Sequence, residues 1–201
     1  MINNEITKRY TNLTDESLGC MDIKNFYSLD KDMNILDIGC GSGKTLIYIH
    51  DKLEGDCNLF GLDVTDGMLE KANTNRGIRN INFIKAEMQN LPFESNFFDM
   101  VTSNCAVNHA KDKTKVYSEI FRVLRPGGYF IIGDIATKEP LPKEISESPE
   151  WVAQCLGGAL QKEIYLQIIR DTGFKKLDLL NQREYIKEGF KLYGLTIKGV
   201  K

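Results

Sequence analysis

No stretch of the 201 residues stays apolar for the length of a membrane span, and the polar start Met1-Ile2-Asn3-Asn4-Glu5 is not a secretory leader. No run of basic residues occurs either: 26 Lys and Arg are scattered among 28 Asp and Glu, for a net charge of −2. That balance gives no electrostatic footprint for nucleic acid or for a membrane surface. Internal repeats and low-complexity tracts are absent. Five cysteines without a secretion signal are expected to be reduced thiols in a cytoplasmic protein, and an odd count leaves one unpaired in any pairing. What remains is the composition of an ordinary globular chain, 42% hydrophobic and 27% charged, long enough for one domain over 1–201 with a proper core.

Residues 1–30 are mixed and mostly polar and predict a short helical cap segment. From residue 31 a core of alternating strands and helices is expected. Strands are predicted at 35–38, 59–64, 81–86, 98–103 and 129–134, with helices at 45–52, 67–75 and 113–123. The stretch Arg125-Pro126-Gly127-Gly128 reads as a tight turn, and Glu139–Trp151 as a loop or broken helix. An amphipathic helix at 162–172 precedes two final strands at 176–180 and 192–199. Strands alternating with helices require a mainly parallel sheet covered on both faces, and the last two strands, with no helix between them, predict an antiparallel hairpin.

The first strand, Ile35-Leu36-Asp37-Ile38, breaks into Gly39-Cys40-Gly41-Ser42-Gly43, and the second strand ends on Asp63. Strand, glycine turn, helix and a second strand closed by an acid are the layout of a nucleoside-binding βαβ unit. The glycines keep side chains off a backbone that must meet a ligand closely, and Asp63 is placed to grip a ribose diol. A dinucleotide fingerprint needs its third glycine where Lys44 stands, and a phosphate-cradling P-loop ending in Gly43-Lys44-Thr45 needs one where Ile38 stands. Asp37-x-Gly39-x-Gly41-x-Gly43 instead resembles motif I of the class I S-adenosylmethionine methyltransferases.

That resemblance extends over roughly residues 33–135. Asp63 matches the acid of motif II, Glu87-Met88 the pair that meets the adenine, and Leu124-Arg125-Pro126-Gly127-Gly128 the turn after the helix. It implies a Rossmann-like, seven-stranded, mostly parallel α/β sheet with a C-terminal antiparallel strand and helices on both faces. It also implies S-adenosyl-L-methionine as cofactor, held by Asp37, Gly39, Gly41, Gly43, Asp63, Val64, Met68, Glu87, Met88 and Asn104. Asp37 is expected to orient the glycine loop or the cofactor ammonium.

Ser103-Asn104-Cys105-x-x-Asn108 and Trp151-x-x-x-Cys155-x-x-Gly158-Ala159, joined through Asp134 and Glu139-Pro140-Leu141-Pro142, are similar to the arsenite methyltransferases. This narrower resemblance implies trivalent arsenic as substrate, a thiol reductant as partner, and Cys105 and Cys155 as thiolate ligands. Leu18-Gly19-Cys20 supplies the third. Soft sulfur suits a soft, thiophilic centre. Cys40 and Cys57, the latter ahead of an edge strand, are expected to be structural. His109 is expected to cap a helix or lie at the surface rather than act as a base, Tyr10 to cover the cofactor, and Trp151 to pack the loop. Two features depart from the larger arsenite methyltransferases: no C-terminal extension follows the sheet, and residues 1–19 hold no cysteine. Fewer methylations, or a related soft substrate, would follow.

Two other functions fit the same motifs. A small-molecule C- or O-methyltransferase of the quinone or secondary-metabolite type gives no reason for Cys105 and Cys155. A non-catalytic, metalloid-sensing protein that binds the cofactor is separated from an enzyme only by turnover. A protein or nucleic-acid methyltransferase is disfavoured, because Asn104-Cys105-Ala106-Val107 stands where an Asn/Asp-Pro-Pro-Tyr stretch would be.

Overall fold

A computed structural model describes residues 2–11 and 21–201. Helix α1 (Ile2–Thr11) and a short 3₁₀ turn at Lys24–Phe26 precede the sheet. The chain then alternates β1 (Asn34–Ile38), α2 (Lys44–Lys52), β2 (Asn58–Asp63), α3 (Asp66–Arg76), β3 (Ile81–Lys85) and β4 (Phe98–Asn104). After a 3₁₀ turn at Val107–His109 come α4 (Lys113–Val123), β5 (Leu124–Thr137), and two short helices, α5 (Lys143–Ser146) and α6 (Pro149–Ala153). Helix α7 (Lys162–Asp171) and the hairpin β6 (Lys176–Lys187) and β7 (Phe190–Val200) complete the chain.

The seven strands form one sheet in the order β3-β2-β1-β4-β5-β7-β6, in which β7 alone runs antiparallel to its neighbours. This is the expected Rossmann-like architecture. Strand order reverses between β1 and β4, so the loops leaving their C-terminal ends open into one crevice, the place where open α/β sheets bind ligands. Those loops carry Gly39–Gly43 and Cys105.

Period-two alternation sorts the two faces of the sheet. Leu36, Ile38, Val101, Phe130 and Ile132 pack with Tyr117 and Ile120 of α4 and Tyr165 and Ile169 of α7. Ile35, Leu59, Met100 and Ile131 point the other way, onto Leu46 and Ile49 of α2 and the segment Met21–Tyr27. Helix α4 starts where it does because the Asp112 carboxylate accepts the Lys115 N–H at 3.0 Å, an N-cap bond.

Three expectations on the sheet need correction. Strand β2 is not an edge; β3 and β6 are. The turn at 125–128 lies inside β5 rather than before it: Leu124 pairs with Phe98 and Tyr129 with Met100, so the intervening residues bulge out. The final hairpin is longer than the apolar runs suggested, its pairing continuing to Lys187 and Phe190 around Glu188-Gly189. Both turn residues have positive φ (51° and 80°), as the tightest hairpin turns demand. Among the described residues no helix is long and apolar enough to cross a membrane.

Candidate active site

The glycine turn begins where β1 ends. Gly39, Gly41 and Gly43 all have positive φ, and the N–H groups of Gly39 and Cys40 bond the Leu62 carbonyl, which fastens the turn to β2. At the tip of β2, Asp63 accepts the Gly41 N–H at 3.0 Å and the Thr65 N–H at 2.9 Å. Asp63, rather than Asp37, is therefore seen to bond the loop. Burial pushes the Asp63 carboxyl up, opposed by those N–H groups. Asp37 is pushed up to about 8 by burial and then by the Asp63 charge, with Lys24 opposing.

Among the described residues a Cβ on Gly41 would meet only the Met68 sulfur, at 4.0 Å. The turn thus leaves room among these residues for a side chain at Gly41 beside Met68. Val64 and Met68 flank Asp63, and Glu87-Met88 follows β3 at the same end of the sheet. Asn104, expected at the cofactor, has its amide on backbone instead: its Nδ2 donates to the Met21 carbonyl at 2.7 Å and its Oδ1 accepts the Met21 N–H at 3.4 Å. It pins the incoming N-terminal segment to the end of β4.

Beside this turn lies a sulfur site. A Cβ on Gly39 would strike the Ala106 Cβ at 2.3 Å, so the residue after Cys105 touches the glycine turn. Cys155, in the loop after α6, places its Sγ 3.4 Å from that of Cys105 and 3.1 Å from the Cys105 carbonyl oxygen. Both cysteines adopt left-handed backbone, with φ of 63° and 65°. Each such residue costs about 1–3 kcal/mol and persists only where its surroundings enforce it. Cys105 is disulfide-bonded in this structure, whereas Cys155 is a free, buried thiol. Burial, followed by the Asp134 charge, pushes the Cys155 thiol up to about 12, with Tyr10 opposing.

Two devices hold the loops together. Gly158 lies so close to Asn108 that a Cβ there would come 1.7 Å from the Asn108 carbonyl oxygen. Only a residue without a side chain lets the Cys155 loop reach the Cys105 loop. Below them Asp134, fully enclosed near the end of β5, accepts the Asn108 N–H (3.1 Å) and Nδ2–H (2.8 Å), the Ile135 N–H (2.9 Å) and the Tyr165 hydroxyl (3.3 Å). Burial pushes its carboxyl up to about 6, opposed by these hydrogen bonds and by the charge of Lys113 nearby.

His109 is neither a cap nor a surface residue. It is partly buried between Tyr10 of α1, whose hydroxyl lies 3.0 Å from Nε2, the Cys155 Sγ (3.3 Å from Nε2) and the Val152 carbonyl of α6 (2.9 Å from Nδ1). Tyr10 accordingly sits on the sulfur side of the crevice. Trp151 packs with Cys155 and Leu156 as expected. Cys40 lies under the glycine turn, its sulfur 2.9 Å from where a Gly61 Cβ would stand, and Cys57 lies ahead of β2, at the opposite end of the sheet from the crevice. Neither joins the sulfur site. Cys20 lies outside the described residues. Asp134 stood in a recognised motif and Tyr10 was expected over the cofactor, yet the sequence held no signal that they would converge on Cys155.

A model of the methyltransferase domain matches residues 29–173. The chain is 30% identical to an arsenite methyltransferase of Halobacterium salinarum over 85% of its own length and 44% of that protein's. It thus spans less than half of the curated arsenite methyltransferases it matches. It is 28% identical to a ubiquinone/menaquinone biosynthesis C-methyltransferase of Campylobacter jejuni, over 79% of this chain and 77% of that one. Among solved structures, an arsenic(III) S-adenosylmethionine methyltransferase of Chlamydomonas reinhardtii superposes with a TM-score of 0.79 at 26% identity, over 98% of this chain and 73% of that one. The chain belongs to the methyltransferase-domain family, as a class I S-adenosylmethionine methyltransferase resembling those that act on arsenite.

Proposed function

We propose that the chain transfers a methyl group from S-adenosylmethionine to trivalent arsenic held by Cys105 and Cys155, with Cys20 as third ligand. The observation that carries this is the 3.4 Å separation of two sulfurs from loops fifty residues apart, one residue from the glycine turn. Thiolates about 2.3 Å from one soft centre lie roughly 3.4–3.8 Å from each other. The substrate site requires Cys105 as a reduced thiol, which is why a thiol reductant belongs to the reaction.

S-adenosylmethionine supplies a methyl group already activated by its sulfonium sulfur. The protein's task is then to align a nucleophile with that methyl group and exclude water. On this proposal Asp63 takes the ribose hydroxyls, and the amides of Gly39–Gly43 lie along the methionine part. Asp37 faces its ammonium, Val64 and Met68 flank the nucleoside, and Glu87 and Met88 meet the adenine. Asn104 serves indirectly, by fixing Met21 over the crevice. Three-coordinate arsenic keeps a lone pair, which is the nucleophile.

Incubating the reduced protein with arsenite and S-adenosylmethionine, then identifying products by chromatography and mass spectrometry, tests the proposal. Methylated arsenicals are expected. A quinone-type C-methyltransferase is the second reading, favoured by the 28% identity to the Campylobacter relative over 77% of that protein. Methylation of a phenolic or quinol acceptor with none of arsenite would establish it.

A further inference from the structure

His109 has a defined tautomer. The Val152 carbonyl oxygen can only accept, so Nδ1 carries the ring proton and Nε2 presents a lone pair. That lone pair faces the Cys155 Sγ at 3.3 Å and the Tyr10 hydroxyl at 3.0 Å. The 3₁₀ turn bearing His109 is fixed from behind by Asn108 on Asp134. The imidazole is thus held in place against a thiol, on the side away from its own backbone anchor.

We propose that His109 is the positioning residue that receives the Cys155 thiol proton when a soft trivalent centre binds. This rests on the arsenic reading above. As the sulfur–arsenic bond forms, the S–H bond breaks and its proton moves to Nε2. The arsenic–oxygen bond then breaks, and the departing hydroxide takes that proton from Nε2 and leaves as water. The histidine ends neutral, and no oxidant or reductant is needed. A base is needed there because burial keeps Cys155 protonated near neutral pH. His109 is neutral there, since burial, then the Lys113 and Arg9 charges, push its imidazole down to about 4 against the opposing Val152 bond. Among the described residues the other titratable or charged groups facing the pair are Tyr10, Cys105, Asp134, Tyr185 and Lys187. Tyr10, whose own hydroxyl is pushed well up by burial, donates to Nε2 in the resting state and gives way to the thiol.

Trp151, the only tryptophan, lies in the same apolar cluster as Cys155 and reports occupancy of the site. The rate at which phenylarsine oxide changes its fluorescence is to be measured in phosphine-reduced protein from pH 6 to 8, without S-adenosylmethionine. With His109 as acceptor the rate is flat over that range. In His109→Leu, hydroxide must take the proton instead, so the rate falls at least tenfold at pH 6.5 and climbs about tenfold per pH unit. S-adenosylmethionine affinity, measured on the same sample, stays within about twofold and shows that the variant is folded. Tyr10→Phe keeps the flat profile. A flat, undiminished profile in His109→Leu overturns the proposal, and so does a loss that follows Tyr10→Phe instead. Should His109→Leu not fold, His109→Gln, which hydrogen-bonds without acting as a base, must show the same pH slope. If the wild type does not bind the arsenical, the arsenic reading fails. Alkylation of Cys155 by iodoacetamide, followed by peptide mass across the same pH range, then tests the histidine alone. It must be flat in the wild type and sloped in His109→Leu.

Discussion

Cys105 and Cys155, fifty residues apart in the chain, share one unusual backbone conformation and bring their sulfurs within 3.4 Å of each other. Left-handed φ at two non-glycine residues is a local cost that the surrounding fold sustains. Gly158 against Asn108 and Asn108 on Asp134 are what sustain it. The site is therefore built from two loops locked to each other, beside a glycine turn that is fixed independently by β2.

That independence separates the two binding events. Gly158→Ala puts a methyl group into the Asn108 carbonyl and must displace the Cys155 loop. We expect arsenite-dependent turnover to fall at least tenfold, while S-adenosylmethionine affinity by calorimetry stays within a factor of about three.

Asp63→Ala removes the carboxylate that holds the Gly41 N–H and that we propose takes the ribose hydroxyls. Loss of charge-assisted bonds to two ribose hydroxyls corresponds to roughly 1.5–3 kcal/mol, a ten- to hundredfold weakening. Unchanged S-adenosylmethionine affinity in the calorimeter would remove Asp63 from the site.

Gly41→Ala tests the cofactor space itself. Among the described residues its Cβ meets nothing nearer than 4.0 Å, so the cost expected in the free fold is that of a left-handed alanine, about 1 kcal/mol. The melting temperature should drop by a few degrees. Cofactor affinity should fall much further, because the methyl group occupies ligand volume.

Asp37 gives a pH dependence of definite sign. Its carboxyl is pushed up to about 8 by burial and by Asp63, so the free protein carries it largely protonated at pH 7. A cationic cofactor favours the ionised form and expels that proton on binding. Affinity should then rise with pH between 6 and 8, by up to roughly tenfold per unit, and level off above 8. Asp37→Asn should flatten the profile. An affinity that falls over this range in the wild type would contradict the assignment.

The order of strands and helices was readable because turn chemistry and periodicity agreed: glycines at 39–43, an acid closing β2, and an apolar face on α4. The hairpin β6–β7 was readable only in part. Asn181–Lys187 belongs to an exposed edge strand, whose polar residues carry no alternation, and its length is fixed by pairing with β7. Cys105 and Cys155 could be named from their motif settings, but what joins them could not. The proximity of His109 and Tyr10 to Cys155 depends on how α1 and α6 pack, and neither the 3₁₀ turn nor a five-residue helix leaves a pattern in sequence. Asn104 shows the reverse: its place at the end of β4 was readable, yet its amide bonds are determined by where Met21 enters.

The central claim is that two sulfurs of this chain hold one arsenic atom, and arsenic K-edge X-ray absorption tests it most directly. Reduced protein with one equivalent of arsenite should show a first shell of sulfur, with sulfur replaced by oxygen in Cys105→Ser and in Cys155→Ser, while both variants still bind S-adenosylmethionine. An oxygen-only shell in the wild type, or an unaltered sulfur shell in both variants, would contradict it.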